Sequence, residues 1–60
     1  MVHKKMNKSI MIVEDNEAFQ SLYAEMLEDT DYEIIRAYDG DEALEKLEEK
    51  KPDLIILIYY

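Results

Sequence analysis

The residues with the clearest chemical potential in this sequence are two adjacent carboxylates, Glu14 and Asp15. They directly follow Ser9–Val13, a short apolar run that is typical of a central parallel strand whose carboxyl end opens to water. Adjacent carboxylates at the mouth of a parallel sheet offer the hard oxygen ligands that a divalent cation prefers. Two carboxylates alone hold magnesium weakly, so we interpret the pair first as solvated side chains and second as a weak metal site.

The composition of the chain argues against several kinds of binding partner and of reactive site. The chain has 60 residues, a formal net charge of -8 and no cysteine. An acidic surface repels nucleic acid phosphates, and a chain without thiols has no disulfide framework, zinc-thiolate site or cysteine nucleophile. The longest apolar run, residues 54–60, is far shorter than the roughly 20 residues that a helix needs to cross a bilayer. We therefore predict a cytoplasmic protein without a nucleic acid or membrane partner.

The first helix is expected after Asn16, whose side chain is suited to accept hydrogen bonds from the free amide groups of a helix start. Apolar residues then recur at the spacing of one helix face, which predicts a buried stripe and a polar outer face. The stripe consists of Phe19, Leu22, Tyr23, Met26 and Leu27, and the outer face of Gln20, Glu25, Glu28 and Asp29.

A second strand is predicted over residues 32–37, and a second helix directly after it. Asp39 and Glu42 stand three positions apart in a capping-box arrangement, with Asp in place of the usual Ser or Thr. This pair marks the helix start.

The second helix has a narrow apolar face and a charged surface. The apolar face consists of Ala43, Leu44 and Leu47. Glu42 and Lys46 are four residues apart, which favours a surface ion pair. Pro52 prevents the helix from continuing, and residues 54–60 are predicted as the third strand.

The predicted order of strand, helix, strand, helix, strand indicates an α/β fold with parallel strands. Right-handed crossovers in the doubly wound order 2-1-3 place the two helices on opposite faces of the sheet and leave the third strand as an open edge. We expect a flexible tail over residues 1–8 and one domain over residues 9–60. A domain of this size buries only about 60% of the surface of its unfolded chain, so we expect a second copy to complete the fold.

Three segments, in this order, resemble the first three strand ends of a receiver domain from two-component response regulators, which has a flavodoxin-like fold. They are residues 9–17 (SIMIVEDNE), 37–45 (AYDGDEALE) and 51–57 (KPDLIIL). The resemblance covers only the N-terminal half of that fold. It implies a truncated receiver-like domain, either a natural truncation or an engineered fragment.

The resemblance also implies roles for individual residues. Glu14 and Asp15 match the acidic pair that helps a receiver bind magnesium. Ile58 stands where a receiver has its phosphoacceptor aspartate, and a branched alkyl group has no oxygen to accept a phosphoryl group. A receiver's switch also needs a hydroxyl residue and a lysine from its fourth and fifth strands, and no residue here is assigned those roles. We therefore predict a noncatalytic domain that is not an enzyme and needs no cofactor, with weak Mg²⁺ binding as an alternative.

The third strand is predicted to be the assembly surface of the chain. Its residues are Leu54, Ile55, Ile56, Leu57, Ile58, Tyr59 and Tyr60. An uncharged edge strand without proline is an aggregation hazard unless another chain covers it. We predict a homodimer formed through this strand. The alternatives are an adaptor that pairs the strand with another receiver or signalling protein, and a magnesium-binding remnant of a phosphorelay.

Overall fold

The computed structural model describes residues 8–58, which form five elements in the predicted order. These elements are β1 (Ser9–Val13), α1 (Glu17–Met26), β2 (Glu33–Ala37), α2 (Gly40–Glu49) and β3 (Leu54–Leu57). The second strand begins at Glu33, one residue later than predicted. Most of the predicted tail over residues 1–8, together with Tyr59 and Tyr60 of the predicted interface, lies outside the described residues.

The three strands form one parallel sheet in the order β2-β1-β3, which confirms the predicted topology. Ile10 of β1 is in register with Ile34 of β2 on one side and with Leu54 of β3 on the other. Both outer strands are therefore edges of the described sheet.

The central strand supplies most of the core. All five residues of β1 are buried. Because side chains alternate along a strand, Met11 and Val13 share one face, where they pack with Ala37 of β2 and with Ala43 and Leu47 of α2. Ile10 and Ile12 point to the opposite face, which the right-handed crossover of α1 covers.

Both helix starts are capped as the sequence predicts. Asn16 Oδ1 accepts a hydrogen bond from the Phe19 N–H at 3.0 Å. Asp39 Oδ1 accepts one from the Glu42 N–H at 2.8 Å, and Glu42 Oε1 in turn accepts one from the Tyr38 N–H at 2.7 Å. The capping box is thus present, but the Glu42 carboxylate accepts from the N–H of Tyr38, one residue before the N-cap, instead of from that of the N-cap residue Asp39.

The predicted orientation of α1 is wrong by about one residue. Phe19, Leu22 and Met26 of the predicted buried stripe are exposed, whereas Gln20, predicted to lie outside, is fully buried. The side-chain amide of Gln20 donates hydrogen bonds to sheet carbonyl groups, and these bonds turn its face of the helix inward. The inward stripe is consequently Gln20, Tyr23, Ala24 and Leu27.

Apolar side chains are also exposed on α2 and β3, in addition to those on α1. On α2, Ala43 and Leu47 face the core as predicted, but Leu44 is 64% exposed. On β3, Leu54 and Leu57 are 54% and 64% exposed, in agreement with an open edge strand. Within residues 8–58, no helix has the length and apolar character needed to cross a membrane.

Candidate functional site

The carboxyl ends of the three strands meet at one edge of the sheet, around an open depression of about 480 Å³. Its lining comes from the ends of β1 and β3 and from the turn between β2 and α2. The lining residues are Val13, Glu14, Asp15, Tyr38, Asp39, Gly40, Leu57 and Ile58. The structure thus brings together the three positions that the sequence singled out, Glu14, Asp15 and Ile58.

The two carboxylates of the acidic pair have different environments. Glu14 is only 1% exposed, and its Oε2 accepts a hydrogen bond from the Asn16 N–H at 3.0 Å. Its own N–H donates to the carbonyl oxygen of Ala37 at 3.0 Å, which extends the ladder between β1 and β2 by one bond. Asp15 is exposed. The interpretation as a solvated acidic pair is therefore wrong for Glu14 and agrees with the structure only for Asp15.

The donor set at this edge offers few free ligands for a magnesium ion. Glu14 Oε2 is engaged by a main-chain N–H, and Asp39 Oδ1 is engaged by the Glu42 N–H. Ile58 contributes an alkyl group at the third strand end. Across residues 8–58, no three carboxylate, imidazole or thiol side chains are grouped so as to hold a metal ion. Magnesium is usually bound by one or two carboxylates and completes its octahedron with water or phosphate oxygens, so these residues offer it a weak site at most.

Ile58 is held at the mouth of the sheet by the backbone. Its N–H donates to the carbonyl oxygen of Val13 at 3.1 Å, so the β1–β3 ladder continues one bond beyond the last residue of β3. The side chain is partly buried against the same depression. Glu14, Asp15 and Asp39 line this depression, and no lysine or arginine among residues 8–58 does.

Gln20 is a positioning residue that sequence reasoning missed. Its Nε2 donates to the carbonyl oxygens of Ile12 and Ala37, both at 2.8 Å, and lies 3.4 Å from that of Glu14. These bonds join α1 to the carboxyl ends of both β1 and β2. In sequence, Gln20 is a single polar residue beside an apolar stripe, and only the alternative stripe through Tyr23, Ala24 and Leu27 points to its burial.

Asp53 fixes the opposite end of β3. Its Oδ2 accepts a hydrogen bond from the Ser9 N–H at 2.7 Å, and its own N–H donates to the Ser9 carbonyl oxygen at 2.8 Å. The two ends of β3 are thus attached to β1 by Asp53 and by Ile58, which holds the apolar edge strand in place.

The comparisons with known proteins agree with this architecture. A family model described as the response regulator receiver domain matches residues 10–57. The alkaline phosphatase synthesis transcriptional regulatory protein PhoP of Bacillus subtilis (strain 168) is 50% identical over 52 residues, which are 87% of this chain and 22% of that protein. The polar-differentiation response regulator DivK of Brucella anthropi is 48% identical over 52 residues, which are 87% of this chain and 42% of DivK.

DivK of Brucella ovis has the same identity and coverage. The chain therefore spans less than half the length of these relatives. The search of solved structures returned no significant match. The match to the family model over most of the chain, together with the parallel β2-β1-β3 sheet, shows that the chain belongs to the response regulator receiver domain family.

Proposed function

We propose that this receiver-family chain is a noncatalytic, cytoplasmic module that does not accept a phosphoryl group and that associates with a second copy of itself through β3. One observation carries the proposal: β3 is an exposed, uncharged edge strand that leads into Ile58 at the carboxyl end of the sheet. Family membership accounts for the fold. The proposed role rests on the features of β3 that differ from the pattern of a receiver domain.

The chemistry at the strand ends argues against phosphorylation. A phosphoryl acceptor needs a nucleophilic oxygen, and the position at the end of β3 carries the alkyl side chain of Ile58. Phosphoryl transfer also needs cations that neutralise the developing charge. Within residues 8–58, no lysine or arginine lines the depression to supply that charge, and its carboxylates repel a phosphate group unless a cation lies between them.

The proposed interface follows from the direction of the backbone groups of β3. The Ile58 N–H points toward β1, where it meets the Val13 carbonyl oxygen. Because backbone groups of alternate residues point to opposite sides of a strand, those of Leu54 and Ile56 also point toward β1. The N–H and C=O groups of Ile55 and Leu57 therefore point outward, where they are available to a further strand.

An antiparallel pairing with a second copy makes use of both outward residues. In a register centred on Ile56, Ile55 of each copy exchanges both hydrogen bonds with Leu57 of the other. Ile56 then lies opposite its own symmetry mate, in a pair without hydrogen bonds whose Cα atoms are about 4.5 Å apart. The result is a continuous sheet in the order 2-1-3-3'-1'-2' with an isologous interface.

Charge and hydrophobicity favour this surface for self-association. The chain carries a net charge of -8, so two copies repel each other wherever acidic side chains meet. Residues 54–58 contain no charged side chain, and burial of an aliphatic side chain contributes about 1.5 to 3 kcal/mol. Contact between copies at the β3 edge therefore combines burial of aliphatic side chains with an absence of charge repulsion within residues 54–58.

Sedimentation equilibrium at micromolar concentration tests the self-association directly. The expected mass is twice the 7.2 kDa of one chain. A mass of 7.2 kDa throughout the concentration series would contradict the proposed self-association and leave the same edge strand to a different signalling protein.

Intact-mass spectrometry after incubation with acetyl phosphate and Mg²⁺ tests the other half of the proposal. We expect no added phosphoryl group under conditions in which a complete receiver domain, treated in parallel, is labelled. A stoichiometric phosphoryl adduct on this chain would contradict the proposal.

A further inference from the structure

The second edge of the sheet, strand β2, is arranged differently from β3. The Glu33 N–H donates to the Lys8 carbonyl oxygen, and the Ala37 carbonyl oxygen accepts from the Glu14 N–H, so odd-numbered residues of β2 turn their backbone groups toward β1. Alternation then directs the backbone groups of Arg36, and of Tyr38 just beyond the strand, away from the sheet. These groups, together with those of Ile34, are the ones that a neighbouring strand would use.

Two side chains of α2 already bind two of these groups, the Arg36 carbonyl and the Tyr38 N–H. Lys46 Nζ donates to the Arg36 carbonyl oxygen at 2.6 Å, and Glu42 Oε1 accepts from the Tyr38 N–H at 2.7 Å. Lys46 and Glu42 also form an ion pair with each other at 3.3 Å. The side chains are about one-third exposed, so they lie at the surface and cover the end of the β2 edge.

Lys46 and Glu42 together make the hydrogen bonds that one residue of a neighbouring strand would make. In a parallel ladder, such a residue donates its N–H to one carbonyl and accepts from the N–H two positions further along. The Arg36 carbonyl and the Tyr38 N–H are two positions apart and flank Ala37, so Lys46 and Glu42 make the same two bonds. An antiparallel neighbour would also need the Arg36 carbonyl.

Charged side chains also lie at the other end of the β2 edge. Lys50 Nζ and Glu33 Oε2 form an ion pair that joins the end of α2 to the first residue of β2. Charged side chains along an edge oppose strand addition, because pairing would strip them of water. The outer edge of β2 therefore carries charged side chains near both of its ends.

We propose that the Glu42–Lys46 pair blocks strand addition at β2 and so limits assembly of this chain to two copies. The inference rests on the proposed association through β3. If both edges were open, each β3-paired dimer would present two free β2 edges, and further pairing would extend the sheet into open chains. With β2 covered, the two-fold pairing at β3 uses the open edge of each copy, and growth ends there.

The test compares variants that remove or keep the hydrogen-bond donor of Lys46. Lys46→Met keeps an aliphatic stem and removes the donor, whereas Lys46→Arg keeps a donor and the charge. Lys8→Met removes the same charge at an exposed position outside α2. Sedimentation velocity is expected to show a dimer for the wild type, Lys46→Arg and Lys8→Met, and species larger than a dimer, growing with concentration, for Lys46→Met. A Lys46→Met protein that does not grow beyond the wild-type species would overturn the proposal.

A second set of variants, made in a chain whose β3 edge is disrupted, tests the blocking role of the Glu42–Lys46 pair separately from the proposed association through β3. Leu57→Lys places a charge on the outward edge of β3 and is expected to give monomers. Adding Lys46→Met to that background is expected to restore a dimer, now paired through β2, and a monomer would overturn the blocking role. If the wild type itself is a monomer, the β3 proposal fails, while dimer formation by Lys46→Met would still support the role of the pair.

Amide exchange gives a readout that does not depend on assembly. With Leu57→Lys present, the Tyr38 N–H should exchange slowly because Glu42 accepts its hydrogen bond. Glu42→Ala should raise that exchange rate roughly tenfold, as expected for loss of a hydrogen bond to a charged group. An unchanged rate in a variant that retains its circular dichroism spectrum would show that the contact does not cover the edge and would overturn the proposal.

Discussion

The two edge strands of this sheet, β2 and β3, both pair with β1 in the parallel direction. They differ in the side chains at their outer edges, which are charged on β2 and aliphatic on β3. β2 carries Glu33 and Arg36, and Lys46 of α2 and Lys50, just after that helix, contact it. β3 consists of four aliphatic residues. On the proposal above, the side chains that reach the outward backbone groups of an edge make it resistant or receptive to pairing. Its backbone hydrogen-bonding pattern alone does not decide this.

The largest effect is expected when a charge is introduced on β3, so that this edge carries charge as β2 does. Leu57→Lys introduces two like charges at the proposed interface, one from each copy, and should weaken association by roughly 100-fold or more because unpaired charges are costly to bury. Leu44→Lys is the matched control, since Leu44 is the same residue type with the same 64% exposure but lies on α2. Both dissociation constants are measured by analytical ultracentrifugation. Equal effects of the two variants would show that β3 is not a special surface.

A second prediction concerns the hydrogen bonds that hold β2 to the core. Gln20→Leu removes the two buried hydrogen bonds to Ile12 and Ala37 and should lower the free energy of unfolding by about 2 kcal/mol. Urea denaturation at fixed protein concentration measures this change, since association adds to apparent stability. Glu25→Leu, at an exposed position on the same helix, should change stability by about 0.5 kcal/mol or less. A loss no greater than that of Glu25→Leu would remove Gln20 from its positioning role.

The third prediction tests whether the end of β3 belongs to the interface. In the proposed register, Ile58 lies opposite Leu54 of the second copy, so Ile58→Asp brings a carboxylate into an apolar contact. We expect association to weaken by about tenfold. Ile58→Asn has a similar shape without the charge and should have a smaller effect. Unchanged dimer stability for Ile58→Asp at neutral pH would place Ile58 outside the interface.

The smallest effect is expected at the start of β3. Asp53→Ala removes the acceptor for the Ser9 N–H and should cost about 1 kcal/mol of unfolding free energy, whereas Asp53→Asn keeps an acceptor oxygen and should cost less. Urea denaturation compares the two. If both variants matched the wild type, the Asp53 side chain would not be needed to hold β3 on β1.

Much of the fold could be predicted because its signals are local. The apolar run of β1, the capping residues Asn16 and Asp39, and the break at Pro52 each act within a few residues of the chain. Chirality of the crossovers then restricts the strand order, and the structure confirms the order 2-1-3. The Glu42–Lys46 ion pair was likewise predicted from its spacing alone, and it is confirmed.

The candidate site could be predicted only in part, because its details depend on contacts between distant segments. The burial of Gln20 depends on carbonyl groups of two strands, and a helical pattern with one polar residue gives no sign of them. The burial of Glu14 depends on the turn that brings the Asn16 N–H back to its carboxylate. The bonds that Glu42 and Lys46 make to the outer side of β2 require the relative placement of α2 and the sheet. Spacing therefore predicts which residues pair along a helix, whereas packing decides what else they bind.

Cross-linking through a single introduced cysteine tests the central claim, pairing of two copies through β3, most directly. The chain has no cysteine, so Ile56→Cys creates one thiol per copy, placed where the proposed register brings the two Cα atoms about 4.5 Å apart, which a disulfide can bridge. Leu54→Cys lies on the same face of the same strand, but its two copies would be roughly 14 Å apart.

We expect mild oxidation to convert most of the Ile56→Cys protein into a covalent dimer and to leave the Leu54→Cys protein unlinked, as judged on a nonreducing gel. Equal cross-linking of both variants, or of neither, would contradict the proposed pairing.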